Sequence, residues 1–410
     1  MGGGAARAAY RLHQGLLAGG VDSQMLVQAR LTGDRTVVAP TSKIDRGIAA
    51  IKPALDQIPF LLHRNRDRTI NIYSSQWLPN KILKKIEAIN PDIINIHWIC
   101  GGFVPIEAIG KLNKPLVWTF HDMWALTGGC HYNGECDRYQ QSCGSCPQLG
   151  SNRDWDLSRW IWQRKAKAWR DLNLTIVTPS HWLADTARSS SLFENAPIEV
   201  IGNGIDPQIY QPHSPEIARK ILNLPQDKKI ILFGALDSTQ DKRKGFSLLF
   251  AALQKLQALE SRNRVELVIF GASTPTNPPD FGFKTRYIGK LSDDVSLSLL
   301  YAAADVFVAP SIQDNLPNTI LEAMFCGTPC TAFKIGGIPD LIDDRENGYL
   351  ARPFLPEDLA AGIHWILEDR DRYQKLATKS RDKAIANFSL DRQSQKYLRV
   401  FHSLYSKLSL

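Results

Sequence analysis

The chain has 410 residues, 44% of them hydrophobic and 22% charged, the balance of a globular protein long enough for two domains of ordinary size. Its formal net charge of +8 suits anionic partners such as nucleotide diphosphates, nucleic acid or acidic membrane surfaces, and charge alone does not choose among them. No apolar run reaches the ~18 residues of a membrane span, the first residues lack the apolar stretch of a secretory signal, and seven cysteines, an odd number, speak against a secreted disulfide framework.

The expected location is therefore the cytoplasm. Met1-Gly2 is a weak acylation signal, because Ala6 stands where Ser or Thr is needed. Gly2, Gly3 and Gly4 lead into AARAAYRLHQGLLAGG, an amphipathic run whose start reads as a phosphate-facing or acceptor-facing turn, or as a disordered beginning. Short apolar runs then alternate with amphipathic segments at residues 69–75, 92–99, 115–122, 174–180 and 198–204, which predicts a parallel sheet with crossover helices. His121 and Asp122 close the third run, at the strand end where a site belongs; a lone histidine there also has a structural reading.

Cys130, Cys136, Cys143 and Cys146 follow as C-x5-C-x6-C-x2-C. Four thiolates so close in a reducing compartment suit a structural zinc that shapes an acceptor-side loop, with reduced packed thiols and redox or iron–sulfur chemistry as alternatives. Beyond them Trp155, Trp162 and Trp169 recur every seven residues, with Arg159, Lys167 and Arg170 on another side. That pattern predicts a core-packing helix or, alternatively, one that docks on an anionic membrane surface.

Residues 205–226, rich in Pro and polar side chains, read as a linker between an N-terminal domain at 1–204 and a second domain at 227–388. The second domain repeats the strand pattern at 229–236, 265–272, 285–291, 306–311 and 328–333, so two doubly wound domains are expected, with sites at the strand ends facing a central cleft. After the first of these strands, Asp241, Lys242, Arg243, Lys244 and Gly245 open an amphipathic helix; cations at such a turn suit a diphosphate, and a solvated charge run is the other reading.

Asp314 precedes a helix expected from about Leu316 to Cys326, started by Pro317 and ended by Gly327. The open N-terminus beside Asn318 and Thr319 is an anion site, and Glu322 in its apolar run is either a hydrogen-bond acceptor for sugar hydroxyls or a solvent-facing acid. Gly336 and Gly337 let backbone approach a ligand, and residues 389–410 read as a C-terminal packing helix, with Tyr397, Val400, Phe401 and Leu404 at helical spacing.

Taken together, SIQDNLPNTILEAMFCGTPCTAFKIGGIPDLI, FGALDSTQDKRKGF, FHDMW, TPSHWLADTA and VIGNGID resemble the retaining glycosyltransferases of family 4, with the α/β GT-B fold of two Rossmann-like domains. The resemblance covers nearly the whole chain, and FHDMWALTGGCHY is similar to enzymes of colanic acid and other exopolysaccharide synthesis. It implies a nucleotide-diphosphate sugar as donor, a glycan or lipid-linked acceptor, no catalytic metal, and a cytoplasmic protein peripheral at the inner face of the membrane. It implies that Glu322 binds the donor ribose and that Asp314 lies near the reacting face, where the family usually has Glu. Gly234, Arg243, Lys244 and the segment Leu316, Pro317, Asn318 and Thr319 would meet the donor diphosphate, and His121 the transferred sugar.

Two departures stand out. Ala235 follows Gly234 where many members carry Arg, a loss that Arg243 would offset. The family also begins with a strand before its glycine loop, so an apolar strand is expected upstream of Gly2. Two competing readings are a nucleotide-sugar epimerase, distinguished by product formation without acceptor, and a basic nucleic-acid binder supported only by the aromatic and basic interleaving at 153–170.

Overall fold

The structure, a computed structural model, describes residues 3–70, 72–234, 241–291 and 293–406. It divides into two compact units, Met1–Ile201 with Ser394–Leu410, and Gly202–Gln393. Ala235 and Gly2 lie outside the described residues.

In the first unit the strands Met25–Leu26 (β1) and Val37–Val38 (β2) form a two-residue parallel pair. Ile94–Ile96 (β3), Leu116–Thr119 (β4), Leu174–Thr178 (β5) and Ile198–Val200 (β6) make a separate parallel sheet in that order. The period-2 alternation of strand side chains decides what covers this sheet. Trp118, Leu116 and Ile176 pack into one apolar cluster, while Val117 and Val177 point to the other face and meet Leu12 and Leu16 of helix Gly3–Ala18 and Tyr397 of helix Leu390–Ser406. The expected C-terminal packing helix thus covers this sheet from Ser394 onward, and the Tyr397 hydroxyl lies 2.8 Å from Thr119 Oγ1. Among the described residues of the expected run 69–75 there is no strand, and Tyr73 makes an isolated antiparallel bridge with Cys130.

The second unit carries Lys229–Gly234 (β7), Val265–Phe270 (β8), Lys284–Gly289 (β9), Val306–Ala309 (β10), Cys330–Phe333 (β11) and Gly348–Ala351 (β12). They form one parallel sheet in the order β12-β11-β10-β7-β8-β9. The order reverses between β7 and β10, so the loops leaving these two strands diverge over a crevice at their carboxyl ends, the place where doubly wound sheets bind ligands. Both faces of the sheet are covered: Ile230, Leu232 and Val268 point into one cluster, Ile231, Phe233 and Leu267 into another.

Residues 205–226, expected as a linker, instead belong to this unit. They fold in part into helix Pro215–Ile221, and Ile205, Tyr210, Ala218 and Leu224 enter its core. Proline and polar residues on the surface turns of this segment masked its apolar anchors. The strand Gly348–Ala351 was likewise hidden, because four residues beginning with glycine give almost no periodic signal.

Two glycines pin the loops at the crevice. Gly245 has φ +70°, and a Cβ there would stand 1.8 Å from the Pro310 carbonyl oxygen; at Gly336, φ +51°, it would stand 1.9 Å from the Asp314 carbonyl oxygen. The paired glycines at 336 and 337 therefore serve contact between two backbone segments. Gly245→Ala is expected to destabilise the protein by about 2–4 kcal/mol in urea unfolding, from left-handed strain plus displacement of the 310–314 loop. Gly47→Ala, in an exposed helical position with nothing within 4 Å, should instead stabilise it by up to about 1 kcal/mol.

Candidate active site

The charge cluster of the second unit is assembled from the β7 and β10 loops. Asp241 caps the short 3-10 turn Lys242–Lys244 by accepting from the Arg243 N–H at 3.0 Å, and its other oxygen takes the Arg243 guanidinium at 2.5 Å. The turn projects Lys244, whose Nζ donates to Asp314 Oδ2 at 2.6 Å, and the Ile312 N–H bonds the Arg243 carbonyl at 2.7 Å. Asp314 is 6% exposed, and its Oδ1 accepts from the Asn315 N–H. Burial alone would raise the Asp314 carboxyl, but the Lys244 and Arg243 charges and the hydrogen bonds from Lys244 and the Asn315 N–H hold it below the ordinary carboxylate value. The run at 241–245 is thus partly engaged in ion pairs and is not simply a solvated charge run.

The helix beside this cluster runs Asn318–Phe325, shorter than expected, with Pro317 as its N-cap and no side chain capping it. Leu316 is buried in the core just ahead of it, Thr319 is half-buried, and Asn318 Oδ1 accepts from Asn203 Nδ2 at 2.9 Å. Glu322 does not face solvent. It is 2% exposed, and its Oε2 accepts from the Tyr301 hydroxyl at 3.0 Å, which excludes the solvent-facing reading of this acid. Burial, with the Glu322 charge next to it, pushes the Tyr301 hydroxyl well above its ordinary value, so it stays a donor. Tyr301 was not singled out in the sequence, where it is one more apolar residue of the helix Asp294–Ala303. Gly234 closes β7 where a Cβ would strike the Phe270 ring and carbonyl, so glycine is required there by packing.

In the first unit, His121 and Asp122 leave the carboxyl end of β4, both half-buried. His121 Nε2 lies 2.9 Å from Nδ1 of His97, which leaves the end of β3, and the next residue, Trp98, donates its indole N–H to Asp122 Oδ2 at 3.0 Å. Burial pushes the His121 imidazole down to about 4, against the pull of Asp122, and burial together with His121 pushes His97 well below the ordinary value. Burial favours the neutral acid of Asp122, yet the His131 charge and hydrogen bond and the Trp124 N–H keep its carboxyl below the ordinary value.

The four cysteines share one loop with little regular structure, docked on the start of helix Leu157–Ala168. Gly144 and Gly128 lie where a Cβ would strike the Asp154 and Ser158 carbonyl oxygens. None of Cys130, Cys136, Cys143 and Cys146 is in a disulfide, and Cys143 Sγ accepts from the Gly128 N–H at 3.2 Å. Burial pushes the Cys143 thiol up to about 12 and Cys146 to about 11. Among the described residues, no three His, Cys, Asp or Glu side chains are arranged to hold a metal ion.

The tryptophans divide. Trp169 is buried against Trp118, whereas Trp155 precedes the helix and is exposed, so they do not share one face. The buried stripe is Ser158, Ile161 and Lys165. Lys165 is fully buried: its Nζ lies 3.7 Å from the Trp124 ring centroid and donates to the Trp124 and Thr127 carbonyls, and burial lowers its amine to about 7. Among the described residues no helix is long and apolar enough to cross a membrane.

Comparisons with known proteins give the family of the chain. Residues 2–209 match the pattern described as Glycosyltransferase Family 4, and residues 227–369 that of Glycosyl transferases group 1. The chain belongs to the group 1/family 4 glycosyltransferases. It is 24% identical to a lipopolysaccharide 1,2-N-acetylglucosaminetransferase of Salmonella typhimurium, over 58% of this chain and 64% of that protein. The chain spans between 56% and 64% of the length of the first curated relatives it matches. Among solved structures, sucrose-phosphate synthase from Thermosynechococcus elongatus superposes with a TM-score of 0.69 at 19% identity, covering 99% of this chain and 94% of that one. HepE of Anabaena, crystallised with UDP and glucose, gives a TM-score of 0.58 at 18% identity, covering 78% of this chain and 81% of that one. These likenesses establish the GT-B arrangement of two Rossmann-like domains as the fold class.

The neutral histidine pair has a measurable consequence. Folded His121 binds no proton until about pH 4, whereas an unfolded histidine does so near 6.5, so stability holds above the unfolded value and declines as pH falls through 6.5 toward 4. Each histidine of the pair contributes at most ~1.4 kcal/mol per pH unit across that interval. In urea unfolding at pH 7 and pH 5, His121→Asn is expected to lose less stability on acidification than the unmodified protein; an equal loss contradicts the assignment.

Proposed function

We propose that the protein transfers a sugar, with retention at the anomeric carbon, from a nucleoside-diphosphate sugar to a glycan or lipid-linked acceptor. The product would be an exopolysaccharide or another cell-surface polysaccharide. The observation that carries this reading is the Lys244–Asp314 pair at 2.6 Å, formed where the sheet order reverses and set beside the uncapped start of the helix that buries Glu322. The UDP and glucose of the Anabaena structure and the lipopolysaccharide acceptor named for the Salmonella relative support the donor and acceptor classes.

In this reading Glu322, oriented by Tyr301, accepts from the donor ribose, and Lys244, Arg243 and the N–H groups at the start of the Asn318–Phe325 helix take the diphosphate. The bond from the anomeric carbon to the diphosphate oxygen breaks, and an acceptor hydroxyl oxygen bonds that carbon on the same face. Its proton passes to the departing phosphate oxygen. One cation ~4 Å from the developing charge is worth about 4 kcal/mol at an effective dielectric near 20, so two cations and a helix terminus serve in place of a catalytic divalent ion. Asp314 holds Lys244 until the diphosphate competes for it, and its shorter side chain, where the family has Glu, bears on the choice of donor sugar. His121, in the first unit, is assigned to the transferred sugar. A basic chain that meets a lipid-linked acceptor would gather peripherally on an anionic membrane surface; no role for nucleic acid enters this reading.

Lys244→Ala is expected to lower turnover by on the order of 100-fold or more with a smaller effect on donor affinity, because its charge matters most as the diphosphate leaves. Glu322→Ala should weaken donor binding by about 1–3 kcal/mol, and Tyr301→Phe by less. Adding Asp314→Asn to Lys244→Ala removes the stranded carboxylate and separates stability loss from rate loss. Unchanged rates and affinities in both single variants sink the reading, and sugar conversion without acceptor favours the epimerase.

We also propose that Cys130, Cys136, Cys143 and Cys146 take a structural zinc, the loop drawing its sulfurs together as the thiols lose their protons. N–H groups already aimed at sulfur, from Gly128 to Cys143 and from Gln148 and Leu149 to Cys146, support this by stabilising thiolate. Elemental analysis of protein purified without chelator should give about one zinc per chain, lost in the Cys143→Ser, Cys146→Ser variant. Metal-free protein with four titrating thiols contradicts it.

A further inference from the structure

A chain of buried hydrogen bonds ends on the turn that carries His121 and Asp122. Ser74 Oγ lies 3.0 Å from His131 Nε2, and His131 Nδ1 lies 2.7 Å from Asp122 Oδ2. That same oxygen accepts from the Trp98 indole at 3.0 Å, while Asp122 Oδ1 accepts from the Trp124 N–H at 2.9 Å. Both ring nitrogens of His131 are thereby engaged, Nδ1 with the carboxylate and Nε2 with the serine hydroxyl. Bonds to backbone carbonyls stitch the same three segments: Ser74 N–H to Gly129, Met123 N–H to His131, and the Trp124 indole N–H to Ser74.

Serine, histidine and aspartate linked in this order have the connectivity of a hydrolase nucleophile, but accessibility decides against that chemistry. Ser74 is 2% exposed and His131 3%, so no acyl group reaches the serine oxygen. The exposed end of the chain is the other one. Trp98 is 39% exposed, and Asp122 and His121 are half-buried. A network that is buried and hydrogen-bonded at one end and open at the other holds the open end still.

We propose that His131, backed by Ser74, is a positioning residue for sugar transfer: it fixes the Asp122 carboxylate, and through it the Trp98 indole and the turn that carries His121. The proposal rests on the transferase reading above and adds to it a residue that does not touch substrate. Trp98 and His97 leave the end of β3 and meet residues 122 and 121 one-to-one, so a shift of the Asp122 carboxylate moves both partners of the pair. Asp122 without His131 keeps the Trp98 and Trp124 donors but loses its shortest bond.

The test compares His131→Leu, which removes both ring nitrogens, with His131→Asn, whose side-chain amide keeps a donor near the Nδ1 position. His131→Leu should lower kcat about 10-fold or more while leaving the donor KM within about 2-fold, and His131→Asn should recover most of the loss. The Trp98 indole 1H–15N resonance, assigned through Trp98→Phe, should move in His131→Leu and return toward its original position in His131→Asn. Should His131→Leu fail to fold, Ser74→Ala carries the same test from the far end, with a smaller fall in kcat and the same direction of indole shift. An unmoved indole resonance together with unchanged kcat, in a folded His131→Leu or Ser74→Ala protein, overturns the proposal. The indole readout needs no sugar transfer, so absence of activity in the unmodified protein counts against the transferase reading alone, and the resonance still decides the role of His131.

Discussion

An ammonium held 2.6 Å from a carboxylate almost out of water sets the geometry of the strand ends in the second unit. Lys244 and Asp314 come from the loops after β7 and β10, the two strands between which the sheet order reverses. In a doubly wound sheet these loops are pushed apart by topology, because the helices they feed lie on opposite faces. Something must hold their ends together. Here a largely buried ion pair does so, with the Ile312 to Arg243 backbone bond beside it and glycines at 245 and 336 allowing backbone to pass where a Cβ would not fit. Removing one partner of such a pair strands the other charge, at a cost of about 3–5 kcal/mol in well-buried examples and less where, as here, the lysine is partly wet.

The same logic separates what was legible in the sequence from what was not. Nine of the strands fall within the runs read from the sequence, most of them because buried parallel strands are apolar on both faces; the edge strands β6 and β9 are only partly buried. The pairing of Lys244 with Asp314, 70 positions apart, was not anticipated: resemblance put one on the donor diphosphate and the other near the reacting face, and ion pairing between loops leaves no periodic trace. Glu322 drew notice as an acid in an apolar run, and its burial explains the anomaly. Its partner Tyr301 was invisible, since a tyrosine in an apolar helix looks like packing until its hydroxyl is placed. The tryptophan heptad misled for a related reason. Spacing of seven implies one face only within a helix, and Trp155 lies ahead of the Asp156 cap.

In the first unit, polar residues are grouped more densely than any single motif indicates. His131 follows directly on Cys130, and both were overshadowed by the cysteine spacing. The fold turns that short stretch into two interfaces: the cysteine side faces helix Leu157–Ala168, and the histidine side faces the ends of β3 and β4. A loop whose own backbone hydrogen bonds are mostly short-range turns is thereby fixed along both edges by longer-range contacts, which is how irregular segments reach a single conformation.

Lys165 carries that architecture into dynamics. Its ammonium is offset by two carbonyls of the 124–127 turn and by indole faces, with no carboxylate of the described residues bonded to it. Closing the loop over the helix strips this charge of water, and opening it returns the water, so hydration of one amine continually opposes the docked state. The Trp124–Thr127 turn and the stretch of helix that carries Lys165 are thus tied to the hydration of a single amine, so that water reaching it loosens both together.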